Sequence, residues 1–125
     1  MRYIAQSYKE LGDYESSKLW FLKAIKEAPY LRKGYIELAI QFYEEADWLG
    51  VDFMIEKALE IKERPLVYMT DPKAWDYTSY DLGAISQYHL RNYEKGLVYA
   101  QKALNNHPTD ERLKQNYQLI SSKLN

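Results

Sequence analysis

The sequence predicts an all-α fold: an α–α superhelix of about three helix–turn–helix units with a C-terminal capping helix. Three observations carry this prediction. Unrelated positions recur together at the same two offsets along the 125 residues. Apolar residues advance in steps of three and four, the period of one helical face. The segments so marked are bounded by glycine or proline, and no convincing strand pattern lies between them.

The recurrence is the strongest of the three. Gly12-Asp13-Tyr14 returns 34 residues later as Ala46-Asp47-Trp48, and after a further 45 as Arg91-Asn92-Tyr93. The same offsets relate Ala5, Ala39 and Ala84, then Ala24, Ala58 and Ala103. They also relate Lys23, Lys57 and Lys102, and Ile25, Leu59 and Leu104. Self-similarity of this kind marks a stacked array of supersecondary units. The chain therefore divides, as one domain over 1–125, into units at about 1–31, 32–63 and 74–108. An insertion at 64–73 separates the last two units, and a capping helix covers 110–123.

In the first unit, Ile4, Tyr8 and Leu11 share a helical face, and Gly12 ends that helix where the chain turns. A second helix over 14–26 directs Leu19, Phe21, Leu22, Ala24 and Ile25 mostly inward, and Pro29 stops it. The second unit repeats the plan with helices near 32–45 and 48–62. Pro65 and Pro72 make the insertion extended, around an apolar centre of Leu66, Val67 and Tyr68. The third unit has helices near 75–90 and 93–106 and closes at Pro108. Thr109-Asp110 caps the last helix, whose Lys114, Gln115, Gln118 and Lys123 face solvent. The six recurring alanines are expected where helices cross closely, since a bulkier side chain would force the backbones apart. Ser17, Val51 and Gly96 form another small position in register.

Composition removes several function classes. The net charge is −1, from 17 basic and 18 acidic residues, which argues against a nucleic-acid partner. There is no cysteine, so disulfides and thiolate chemistry are excluded. No apolar run reaches the roughly 18 residues of a membrane span, and no secretory pattern opens the chain, so a cytoplasmic location is expected. The chain has 13 tyrosines, whose apolar rings with polar tips suit inter-helix seams and partner-binding faces alike. Tyr35, Tyr80 and Tyr93 are expected in seams.

Catalytic and metal sites are not expected. His89 and His107 have no second histidine at ligand spacing. Asp71, Asp76 and Asp81 recur every five residues, which does not hold them on one helical face, and Asp71 and Asp76 flank a helix start where acids favour the dipole. Glu44 and Glu45 are adjacent and splay apart, and the five glycines form no phosphate loop. A small metal-dependent enzyme using Asp76, Asp81 and His89 is the competing reading, and no cofactor is implied. The expected site is a partner-binding groove lined mainly by first helices: Arg2, Gln6 and Lys9, then Lys33, Ile36, Glu37, Ile40 and Tyr43, then Thr78, Asp81, Ile85, Tyr88 and His89. Aromatic and polar groups mixed in this way suit capture of a protein or peptide. A second copy of the chain is another candidate partner.

The spacing and residues resemble the tetratricopeptide repeat (TPR), a 34-residue helix–turn–helix unit with small residues at fixed places and a closing proline. The first unit carries it through Ala5, Tyr8, Gly12, Tyr14, Phe21, Ala24 and Pro29. The second departs at Ala46 and Glu63, and the third at Arg91 and Gln87. The resemblance implies a non-catalytic interaction or scaffold module, either within a larger protein or as a free-standing adaptor in regulation or assembly. It does not extend to the carboxylate clamp of chaperone-binding TPRs, whose places read Arg2, Gln6, Glu37, Thr78 and Leu82. More narrowly, the layout resembles the TPR region behind the catalytic domain of bacterial family-2 glycosyltransferases. Arg2-Tyr3-Ile4-Ala5-Gln6-Ser7-Tyr8, the Pro/Tyr insertion, and Trp75-Asp76-Tyr77 leading into Asp81-Leu82-Gly83-Ala84 carry that likeness. Met1 falls inside a first helix, so a preceding domain is expected, and that catalytic domain is a candidate partner.

Overall fold

One turn, used three times, builds the helix pairs. At residue 12, 46 or 91 the backbone enters the left-handed region, with φ of 79° at Gly12, 57° at Ala46 and 63° at Arg91. The next amide, of Asp13, Asp47 or Asn92, then reaches back to the carbonyl of Tyr8, Phe42 or Gln87 at 2.9 Å. This satisfies a carbonyl that the ending helix leaves free. The same Asp13 and Asp47 cap the helix that follows, accepting from the Ser16 and Gly50 amides at 3.1 and 3.0 Å. The recurring three-residue motif is thus a left-handed turn, a cap and the first helical residue.

The computed structural model describes residues 2–64 and 74–125, with side chains from residue 4 on. Among these there are seven helices and no strand. The pairs are α1 (Arg2–Glu10) with α2 (Tyr14–Glu27), α3 (Arg32–Glu44) with α4 (Trp48–Glu60), and α5 (Thr78–His89) with α6 (Tyr93–Asn106). The last helix, α7 (Glu111–Ser122), begins at Asp110, whose carboxylate accepts from the Arg112 and Leu113 amides. That is the expected cap. Met1 and the insertion from 65 to 73, with Leu66, Val67, Tyr68 and Asp71, lie outside the described residues.

Three expectations need correction. α5 starts at Thr78 rather than at 75, because Asp76 accepts from the Thr78 amide at 2.8 Å and residues 74–77 form a turn before it. Leu19 and Leu22 are not inward: they are 52% and 49% exposed, since among the described residues α2 packs mainly against α1 and α3 and leaves these two uncovered. Leu11, drawn into the first helical face by its spacing, is 81% exposed beyond the last turn of α1.

The small positions pack as their spacing predicts. Ala5, Ala39, Ala58, Ala84 and Ala103 are all buried, and Ala24 is half-buried. Ser17 and Val51 are wholly enclosed. At Gly96 an added Cβ would lie 3.3 Å from the Gln87 Cβ. Phe21, Leu38 and Ile55 fill the larger core cluster between these contacts. A smaller cluster forms around Tyr99, Ala100 and Ile120, and Leu59 packs against both. Tyr35, Tyr80 and Tyr93 pack at the margins of the clusters, in the seams.

α3 touches α5 and α5 touches α7 directly, whereas no comparable contact joins α2 to α4 or α4 to α6. Helices of one set that approach more closely than those of the other bend the stack toward themselves. From α3 to α7, the first-helix side is therefore the inner side of the curve.

Two measurements check this packing. Ala46→Gly and Arg91→Gly each relieve a left-handed non-glycine backbone and should stabilise the chain by about 0.5–1 kcal/mol in urea denaturation. Ala39→Leu, at a wholly enclosed contact, should cost about 1–3 kcal/mol by overpacking.

Candidate functional site

The inner side is assembled from the faces of α1, α3, α5 and α7. On α1, Gln6 and Lys9 are half-buried, and Lys9 Nζ bridges to Glu44 of α3 at 2.9 Å. The side chain of Arg2 lies outside the described residues. On α3, Lys33, Glu37 and Ile40 are half-buried and Tyr43 is exposed. Ile36 is not on the surface: at 2% exposure it belongs to the core, where the face of α3 turns toward α2 and α4.

α5 supplies Thr78, Ile85, Tyr88 and His89 to this side. Asp81 is the exception. Its carboxylate is gripped by both terminal nitrogens of Arg112 on α7, at 3.0 and 2.6 Å, and it is 9% exposed. This fork geometry holds a planar carboxylate in one orientation, and the hydrogen bond keeps the Arg112 guanidinium above its ordinary pKa. Asp81 thus ties α7 to α5 and offers nothing to a ligand.

Beyond that tie, Ile85, Tyr88 and His89 face Asn116, Leu119 and Ile120 of α7 across a cavity of about 190 Å³. Its lining is mostly apolar, with the His89 and Asn116 side chains as polar groups. Tyr88 and His89 are steadied by rings. His89 stacks on Trp48 at 3.9 Å with the planes 2° apart, and Tyr88 meets Tyr93 at 6.0 Å. Tyr43 closes the ring series against Trp48, edge-on at 5.8 Å.

Sequence reasoning missed Arg112, Asn116 and Leu119 as site residues. Their spacing of four and three places them on one face of α7, which is the signal that was present. Arg32 was missed as well. Nearly buried, it donates through Nε to the Ile61 carbonyl at 2.8 Å and lies 3.8 Å over the Trp75 ring. Burial holds its guanidinium below the ordinary pKa. It joins the end of α4 to the turn before α5.

Among the described residues, no three of His, Asp and Glu gather as a metal site. His107 stacks on Tyr77 at 5.1 Å, and His89 is held by Trp48. No helix among them is long and apolar enough to cross a membrane.

Replacing Arg112 with Leu strands Asp81 in a dry seam. Because the arginine side stays open to water, the loss should be about 1–3 kcal/mol. Asp81→Asn combined with Arg112→Leu should recover part of it in a double-mutant cycle of urea denaturation.

Comparison with known families meets this geometry at its N-terminal end. Residues 4–29 match the model of the tetratricopeptide repeat, a stretch that takes in α1, the Gly12 turn and α2. No curated protein matches the chain. The later pairs repeat the matched unit at offsets of 34 and 45 residues and use the same turn, so the described residues form an all-helical, TPR-like repeat.

Proposed function

We propose that the chain is a non-catalytic protein-interaction module that holds a partner polypeptide along the inner face of α1, α3, α5 and α7. The cavity between α5 and α7 is the single observation that carries this reading. About 190 Å³ accommodates one apolar side chain, and His89 and Asn116 stand at its wall to meet the polar backbone that carries such a side chain. Gln6, Lys9, Lys33, Glu37, Ile40, Tyr43 and Thr78 extend the face along the array. Tetratricopeptide repeats mediate contacts between proteins, and the match over residues 4–29 supports the same role here.

The finer reading is that the partner is a bacterial family-2 glycosyltransferase domain, with this chain as its repeat region. It rests on the resemblance of the opening residues, the insertion, and Trp75-Asp76-Tyr77. An encoding frame that runs upstream into an α/β nucleotide-sugar domain supports that context. A frame that does not removes it and leaves an adaptor.

The groove is tested by crosslinking the chain to a purified partner and measuring the affinity of variants. Tyr88→Ala and Leu119→Asp should each weaken capture by roughly tenfold, the scale of a buried anchor contact, with the helical circular dichroism retained. Undiminished capture by both removes the cavity from the interface.

A further inference from the structure

The outer side carries a repeated surface that the groove does not use. One position of the repeat holds Leu19, Phe53 and Val98, which are 52%, 55% and 53% exposed. One helical turn later the same register holds Lys23, Lys57 and Lys102. A single exposed apolar side chain is ordinary on any protein. The same apolar–lysine pair on α2, α4 and α6 makes two parallel rows across the array.

The charges of the lysine row face rings more than carboxylates. The lysine ammonium groups lie over rings: Lys23 over Trp20 at 4.2 Å, Lys57 over Phe53 at 5.5 Å and Lys102 over Tyr80 at 5.7 Å. Among the described residues, the one ion pair made by these three lysines is Lys57 to Glu60, at 4.0 Å. Two nearby acids are taken by other lysines, Glu56 by Lys95 and Glu15 by Lys18, while Glu27 lies one turn beyond Lys23. The row therefore offers positive charge beside apolar surface.

We propose that this outer row docks an acidic, extended segment of a partner polypeptide, its apolar side chains on Leu19, Phe53 and Val98 and its carboxylates on Lys23, Lys57 and Lys102. Packed helices lie about 10 Å apart, α2, α4 and α6 stand farther from one another than packed neighbours, and an extended chain rises about 3.3 Å per residue with side chains on alternate faces. At least four residues therefore carry the segment from one helix to the next with its apolar side chains on one face. Apolar side chains at that interval, with Asp or Glu between them, match the surface. A nucleic acid would match the lysines and leave the apolar row uncovered.

The probe is a fluorescein-labelled peptide with Leu at every fourth position and Glu between, followed by anisotropy. Its counterpart with Lys in place of Glu is one control, and phosphatidylserine vesicles are the other. Saturable binding of the acidic peptide alone is expected, weakening as salt screens the contacts. Lys23→Glu, Lys57→Glu and Lys102→Glu together should weaken it roughly tenfold or more. Phe53→Ser, which leaves every charge in place, should weaken it too. Tyr88→Ala, on the inner face, should leave it unchanged, so failure here and failure of the groove are separable. The proposal is overturned by absent or non-saturable binding, by equal binding of the Lys peptide, by binding to vesicles alone, or by loss on Tyr88→Ala instead of the row variants.

Discussion

The direction of every second helix depends on one residue per unit taking a left-handed backbone. At that residue the chain reverses within two positions, and the helix that leaves lies antiparallel against the helix that arrived. Any other turn would need more chain and would separate the two backbones, and the alanine contacts would then face empty space. Glycine meets the requirement without steric conflict at residue 12, whereas Ala46 and Arg91 accept the conformation although their Cβ atoms oppose it. The bonds back to Phe42 and Gln87 offset that strain. At residue 46 the Asp47 cap adds to them. A motif that looks variable in sequence is uniform in geometry.

That distinction decides what the sequence disclosed. Turns, caps and small contacts are local or recur at fixed offsets, so Gly12, Asp110 and the alanines could be read directly. Contacts between units could not. Asp81 and Arg112 are 31 residues apart in different helices, and no periodicity within either helix announces their pairing. Ile36 has the spacing of a groove residue but turns inward, because α3 packs on three neighbours, α2, α4 and α5, and such a helix buries more than one stripe. Leu19 and Leu22 err in the opposite sense: α2 has too few neighbours to cover every apolar residue it carries. The face of α7 was legible in part, since Lys114 and Gln115 do face solvent while Asn116 and Leu119 belong to the cavity.

Apolar contacts between alanine-sized residues hold helices together without strongly specifying how far one has slid along the other. Each junction between units adds a directional polar contact that does. Between the first and second units, the enclosed Gln41 accepts from Ser17 Oγ at 2.6 Å and donates to the Tyr14 carbonyl at 3.0 Å. Between the second and third, Gln87 donates to Asp52, and Arg32 donates through a terminal nitrogen to the Ala74 carbonyl at 3.5 Å. Between the third and the capping helix, Asp81 takes the Arg112 fork. A one-turn slip at any of these junctions would leave buried polar groups unbonded, at about 1–3 kcal/mol each. Gln87 stands where the other units carry Tyr8 and Phe42, so the departure from the repeat pattern is also the place where a polar link was gained.

The same junctions make the two sides of the array different surfaces. On the inner side, first helices commit their side chains to neighbouring helices: Lys9 to Glu44 of α3, His89 to Trp48 of α4 and Asp81 to Arg112 of α7. Groups held in this way lose little freedom when a ligand arrives, which favours binding without adding any contact. Space remains where α7 stands off α5, beside the polar lock of Asp81 and Arg112. On the outer side the second helices diverge, and their exposed residues are restrained mainly by ring contacts from their own units. A surface of that kind can meet a flexible chain along its length, with an open recess beside Val98, Lys102 and Tyr117 where α6 meets α7. The close approach of the first helices therefore favours a more enclosed pocket between α5 and α7 and leaves the second helices a more open row of contacts.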